Sequence, residues 1–245
     1  MPNFSVIMPA AGKSSRFTDK HYKKPFVPLA NRAVWLHSAE KFLNRDDVKQ
    51  LMIVVAEEDL QWFQDKFSAN VTILGVEVIR GGATRTESVA AALNHLRDDI
   101  EFVAVHDAAR PCLVDAWIEK IFTKAMEVGA AMPAIPVTHT LKRASVAEGV
   151  ESTVSREGLW QGQTPQVFRR DWIEQAYAQR GEDGATDDAH LVEKTGHPIA
   201  IVPGSNMNIK LTTKEDLRIA EALLKVLPKP KLSGPGHPFT DDLWR

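Results

Sequence analysis

The chain has 245 residues, of which 44% are hydrophobic and 25% charged, enough apolar material for the core of one elaborated α/β domain. A formal net charge of -2 gives no bulk attraction to nucleic acid or an anionic membrane, so any anion site must be a local departure from that balance. A single cysteine, Cys112, excludes an intrachain disulfide, no apolar run approaches the roughly 20 residues that span a bilayer, and no basic-apolar leader opens the chain, so a cytoplasmic protein is expected.

In chain order, Phe4 to Met8 is a short apolar run before a small-residue turn and predicts a buried strand. Val34 to Leu43 has helical spacing. Leu51 to Ala56 predicts a second strand, Glu58 to Phe67 a helix, and Val76 to Ile79 a third strand. Thr84 to Leu96 carries Val89, Leu93 and Leu96 on one helical face. Phe102 to Val105 predicts a fourth strand and Ala116 to Val128 a helix. This alternation implies an α/β, Rossmann-like fold: a mostly parallel sheet with helices on both faces.

The rhythm breaks after Pro136. Residues 137–161 hold β-branched residues around a turn at Gly149 and predict a projecting β-arm. Helices at Asp171 to Gln179 and Asp187 to Lys194, strands at Ile199 to Val202 and Met207 to Leu211, and a helix from Lys214 to Leu227 follow. The expected organisation is a core of residues 1–136 and 162–227, an arm at 137–161, and a tail at 228–245 with four prolines and two glycines.

Three segments carry candidate chemistry. The first strand exits into Pro9-Ala10-Ala11-Gly12-Lys13-Ser14-Ser15-Arg16-Phe17, where small residues let a ligand approach the backbone amides. A Walker loop ending at Gly12-Lys13-Ser14 would need glycine at Ile7, and a dinucleotide fingerprint would need it at Ser14, so both are excluded. From Gly12 to Lys24 five cations (Lys13, Arg16, Lys20, Lys23, Lys24) face one acid, Asp19, which reads as a polyanion site or a solvated loop. The second segment is His106-Asp107-Ala108-Ala109-Arg110-Pro111. There a lone carboxylate suits Mg²⁺ shared with substrate phosphates, or a plain Asp107–Arg110 pair. The third is Gly81-Gly82-Ala83-Thr84-Arg85-Thr86-Glu87-Ser88, a close-approach turn or a helix start capped by Thr84. His106, His139, His190 and His197 lack metal-ligand spacing, and Cys112 reads as a small packed residue.

These segments in this order resemble the 2-C-methyl-D-erythritol 4-phosphate cytidylyltransferases of the non-mevalonate isoprenoid pathway. The likeness continues through Gly158-Leu159-Trp160, Gln163-Thr164-Pro165-Gln166-Val167-Phe168, Thr186-Asp187-Asp188-Ala189 and Asn208-Ile209-Lys210-Leu211-Thr212, and spans about residues 4–227. The resemblance implies CMP transfer from CTP to the polyol phosphate with Mg²⁺ or another divalent cation. It places Ala10, Ala11, Gly12, Gly82, Arg85 and Ser88 around the nucleotide, and makes Arg16, Lys24 and Lys210 the catalytic cations. Asp107 would meet the metal and the polyol. Arg110, Thr140, Arg156, Thr186 and Lys210 would surround the polyol phosphate, with Thr140 and Arg156 on an arm that reaches a second subunit of a homodimer. Each also has a plainer reading: Thr186 to Asp188 as a helix start, Lys210 as a surface lysine, Thr140 and Arg156 as cross-strand neighbours. The chain departs from the family at Lys23-Lys24-Pro25-Phe26, where Pro-Lys-Gln-Tyr is usual and Lys23 competes with Lys24 for the reactive position. It departs again at Ala83, where an acid is common. Two other readings remain at this stage, a ribitol 5-phosphate cytidylyltransferase and a nucleotide-binding module without turnover.

Overall fold

The computed structural model describes residues 1–12, 23–145, 147, 149–181 and 185–228. The expected strand–helix alternation is present. β1 (Phe4–Pro9), β4 (Val48–Val55), β5 (Glu77–Arg80) and β6 (Phe102–Val105) pair in parallel in the order β5-β4-β1-β6. The short hairpin β2 (Pro28–Leu29) and β3 (Arg32–Ala33) stands apart.

The sheet continues where the sequence pattern is weakest. β7 (Ala130–Pro136), β10 (Trp160–Gly162), β11 (Gln166–Arg169) and β12 (Ala200–Pro203) complete eight strands. β11 runs antiparallel between β6 and β7, so β7 points the same way as β6. β12 lies parallel to β7. Ala134 of β7 pairs with Gly162 on one side and Pro203 on the other, while Ala131 pairs with Val167 and Ala200. Residues 160–169 therefore lie along one edge of β7, as a strand interrupted at Gln163 to Pro165. Six strands point one way and only β10 and β11 oppose them, which bears out the mostly parallel α/β fold.

Alternation along β1 divides the core. Phe4, Val6 and Met8 face α1 (Val34–Leu43), α2 (Leu60–Leu74) and α4 (Asp115–Val128), whose Trp35, Phe42, Phe63, Phe67 and Phe122 fill that side. Ile7 faces α3 (Arg85–Leu93), α5 (Arg170–Ala178) and α6 (Asp188–Lys194). α7 (Lys214–Val226) covers a smaller cluster around Leu29, Cys112 and Leu211. α4 ends at Gly129, which has φ 95°, and a Cβ there would lie 2.2 Å from the Trp172 ring.

Two expectations change. Met207 to Leu211 is an irregular loop after a turn at Asn206 and Met207, not a strand. Its backbone is spent locally and on the neighbouring loop: Asn208 N–H donates to Ser205 O, and Leu211 N–H to Ala109 O at 2.8 Å. The projecting hairpin is β8 (Leu141–Ser145) with β9 (Gly149–Val154), a separate two-stranded sheet. Trp160 and Gln161, assigned above to the arm, pair with β7 in the main sheet. Of the tail, only Pro228 is among the described residues.

Candidate active site

The carboxyl ends of β1, β5 and β6 emerge on one rim, where open α/β sheets bind ligands. A cleft of about 200 Å³ opens there, lined by Pro9, Ala10, Ala11, Gly12, Lys24, Pro25, Arg85, Ser88, Asp107, Ala109, Lys210 and Thr212. Residues from both ends of the chain thus share one cavity.

The β5–α3 turn is shaped by the lack of side chains. A Cβ on Gly81 would lie 2.8 Å from Ala11 Cβ and 2.9 Å from Ser88 Oγ, so only glycine lets this turn nest against the β1 exit. Gly82 N–H donates to Ser88 Oγ at 3.2 Å, and Ser88 Oγ donates to Thr84 O at 2.8 Å. α3 opens with a capping box: Glu87 N–H donates to Thr84 Oγ1, and Glu87 Oε2 accepts from Thr84 N–H. The Ala83 amide also donates to Glu87 Oε2, at 2.6 Å, so an acid at position 83 is not needed to hold the turn.

Lys24 and Lys23 are separated by their surroundings. Lys24 opens a 3₁₀ turn whose Phe26 is buried among Trp62, Phe63 and Phe67, with ring centroids 5.3–6.1 Å away. Burying one such ring contributes about 1.5–3 kcal/mol, enough to anchor the turn that carries Lys24 to the cleft. Lys23 points to the start of α2 and pairs with Glu58 at 3.2 Å and with Asp59. Arg16, like Lys13 and Lys20, lies outside the described residues.

Asp107 is the electrostatic centre of the cleft. Lys210 Nζ lies 2.8 Å from its carboxylate, Arg85 Nε 3.4 Å and Arg110 Nε 3.5 Å. Burial alone would push this carboxyl up, but Arg85, Lys210 and Arg110 outweigh it and hold it well below the usual carboxylate range. Two of the three cations are also tied elsewhere. Arg110 Nη1 donates to Asn208 O at 2.6 Å, and Arg85 Nη2 pairs with Asp188 at 2.7 Å.

The backbone of Asp107 is held as firmly. Its N–H donates to Thr164 Oγ1 at 3.1 Å. His106 is fully buried, and its Nε2 lies 3.1 Å from Arg110 O, which can only accept, so Nε2 carries the proton. Nδ1 then accepts from Thr164 Oγ1 at 3.1 Å. Burial pushes the His106 pKa down to about 4, against support from Arg110 O and Asp107, and the ring stays neutral. Asn208 Nδ2 donates to Thr164 O at 2.9 Å, which ties the Lys210 segment to the same knot.

The remaining candidates lie outside the cleft lining. Thr186 is exposed just before α6. It does not cap that helix; Asp187 does, accepting from His190 N–H at 2.9 Å. Thr140 is exposed where the hairpin begins, and Arg156, just beyond it, donates to Thr138 O. Cys112 is packed as expected, and burial pushes its thiol up to about 12. Sequence reasoning assigned no site role to Gly81, His106, Thr164, Gln166, Asp188 or Asn208. The only signal for most of them was their place inside the Gln163–Phe168, Thr186–Ala189 and Asn208–Thr212 segments.

A cationic cleft beside an ionised carboxylate, at the carboxyl edge of a mostly parallel sheet, suits a ligand that carries several phosphate groups. The sequence model of the 2-C-methyl-D-erythritol 4-phosphate cytidylyltransferase (IspD) family matches residues 4–226. A protein of that name from Rhodopirellula baltica is 44% identical over 231 residues, covering 90% of this chain and 94% of the relative. One from Bacillus licheniformis is 37% identical over 225 residues, covering 91% and 96%. The crystal structure of the Thermus thermophilus protein of that name superposes with a TM-score of 0.75 at 29% identity, covering 92% of this chain and 100% of that one. The chain belongs to the 2-C-methyl-D-erythritol 4-phosphate cytidylyltransferase family.

Proposed function

We infer that the chain transfers CMP from CTP to 2-C-methyl-D-erythritol 4-phosphate, forming 4-diphosphocytidyl-2-C-methyl-D-erythritol and releasing pyrophosphate, in isoprenoid precursor synthesis. Family membership supports this over a ribitol 5-phosphate enzyme and over a module without turnover. The observation that carries it is the convergence of Gly12, Lys24, Asp107 and Lys210 on one cleft.

The attacking group is a phosphate oxygen that is already ionised, so no general base is required. Catalysis is positioning and charge compensation. The oxygen bonds to the α-phosphorus of CTP as the bridge to the β-phosphate breaks, and pyrophosphate leaves. The amides of Ala11 and Gly12 hold the triphosphate, since Ala10 N–H already donates to Val54 O at 2.8 Å, while Lys24 and Arg16 offset the charge that grows on it. Gly82 and Ser88 meet the base. Ser88 Oγ accepts from Gly82 N–H and donates to Thr84 O, and so holds the turn that faces the base. Arg110, Lys210 and Thr186 receive the polyol phosphate.

Asp107 fits a divalent cation shared with the triphosphate. It is buried at the cleft and ionised, and no group of three or more potential protein ligands exists among the described residues. One carboxylate plus substrate phosphates is a common donor set for Mg²⁺. When bound, the cation supplies neutralisation of the phosphate oxygens at the reacting centre.

A homodimer completes the reading. Thr140 and Arg156 do not line their own chain's cleft, and Val150, Leu159, Trp160 and Ile201 expose apolar surface on or near the arm. A second copy docked there would supply these two polar residues. No described helix is long and apolar enough to cross a membrane. A cytoplasmic location is proposed from the lone, buried thiol and the ordinary charge balance. The test is pyrophosphate release from CTP and Mg²⁺ with methylerythritol 4-phosphate, with ribitol 5-phosphate, and with neither. Release only with the ribitol ester would overturn the substrate assignment.

A further inference from the structure

Asp188 has no accessible surface, and its neighbour Asp187 already caps α6. Its carboxylate is instead committed to two partners: Tyr177 O–H at 2.5 Å and Arg85 Nη2 at 2.7 Å. A buried carboxylate is costly unless paired in this way. Gln166 fixes the start of the helix by accepting from Ala189 N–H at 2.9 Å and donating to Asp187 at 2.8 Å. Arg85 is thus stretched between a carboxylate sealed in the core and one in the cleft, with Nη2 on Asp188 and Nε towards Asp107. Among the cations around Asp107, Lys210 has a side chain 43% exposed and room to move, whereas Arg85 is held from behind.

We propose that Asp188 is a positioning residue for the transfer: it fixes Arg85 beside Asp107, so that this arginine screens the carboxylate without being drawn onto the incoming triphosphate. The inference rests on the cytidylyl-transfer reading above. Without the rear carboxylate, Arg85 is free to form a bidentate pair with Asp107 or to follow a phosphate. Either move alters the field at the reacting centre more than it alters ground-state binding. Tyr177 holds the unused oxygen of Asp188 and belongs to the same device.

The test is steady-state kinetics of Asp188→Asn, which keeps size and an acceptor for Tyr177 while removing charge. We expect kcat to fall about tenfold or more with the KM for CTP within about threefold, and no further loss when Asp188→Asn is added to Arg85→Gln. Tyr177→Phe should lower kcat in the same direction by a smaller factor and carries the test if Asp188→Asn does not fold. Val192→Ala, on the same helix and buried in the core, should lower the melting temperature without lowering kcat. Undiminished kcat in both Asp188→Asn and Tyr177→Phe overturns the proposal. So does full additivity with Arg85→Gln, or an equal kcat loss in Val192→Ala at matched stability. If the wild-type chain releases no pyrophosphate from CTP with the methylerythritol ester, the functional reading has failed instead.

Discussion

His106 gives a stability prediction whose size follows from its surroundings. In an unfolded chain its imidazole titrates near 6.5; in the fold, burial lowers it to about 4. The fold therefore favours the neutral ring. Its contribution is fully present above pH 6.5 and is lost as pH falls through the interval down to about 4, because the unfolded chain takes up a proton that the folded one refuses. The gap is worth about 3 kcal/mol, at a slope of about 1.4 kcal/mol per pH unit. The assay is urea unfolding at half-unit pH steps from 7.5 to 4.5, on the wild type and on His106→Gln, with no metal added. All other titrating groups are common to both proteins, so the difference in slope isolates the histidine. The wild type should lose the larger share of its stability across the interval, while the variant, less stable at pH 7.5, should show a flatter curve. Parallel curves would mean that the ring is not held neutral and that the His106–Thr164–Asp107 arrangement is wrong.

Lys24→Met should cut kcat by on the order of a hundredfold with an unchanged melting temperature, while Lys23→Met, which breaks the pair with Glu58 and Asp59, should change kcat by no more than a few fold; measured pyrophosphate release decides which lysine reacts. Gly81→Ala adds a methyl 2.8 Å from Ala11 Cβ and should raise the KM for CTP more than it lowers kcat, at a stability cost of about 1–3 kcal/mol; isothermal titration with CTP checks the binding part. Asp107→Asn should abolish the dependence of any residual turnover on added Mg²⁺, read as rate against metal concentration. On the proposed homodimer, co-refolding inactive Lys24→Ala and Arg156→Ala chains should restore about a quarter of wild-type turnover, because half the dimers would pair unlike chains and each of those would have one intact site. No recovery would remove the partner's arm from the site.

The sequence exposed the fold where strands are buried on both sides. β1, β4 and β6 read as runs such as Phe4 to Met8 because parallel strands carry apolar residues on both faces. β7 was invisible because Ala130-Ala131-Met132-Pro133-Ala134-Ile135-Pro136 has little β-branched character, and its strand state comes from neighbours on both edges. β10 reads as part of the arm because the break at Gln163 to Pro165 leaves only three residues on its near side. The glycine turns and Asp107 stand out as motifs at strand ends, and the plainer uses that the sequence also allows are present: Thr84 caps α3 and Asp107 pairs with Arg110. The Arg85–Asp188 pair was not: 103 positions separate the two, and an acid at a helix start reads as a cap, which here is Asp187. Lys23 and Lys24 differ only through Phe26 and α2, which no local pattern encodes.

The reversed strand β11 has a mechanical consequence. Its amino end meets the carboxyl end of β6, because Gln166 pairs with Val105. A chain that leaves the body at Pro136 and returns at Trp160 therefore re-enters on β7 four residues before Thr164, on which the Asp107 amide hangs. The hairpin's return is clamped to β7 from Trp160 to Gly162, and only two residues further on Thr164 holds the acid's amide, so the arm and the acid share one short stretch of sheet edge.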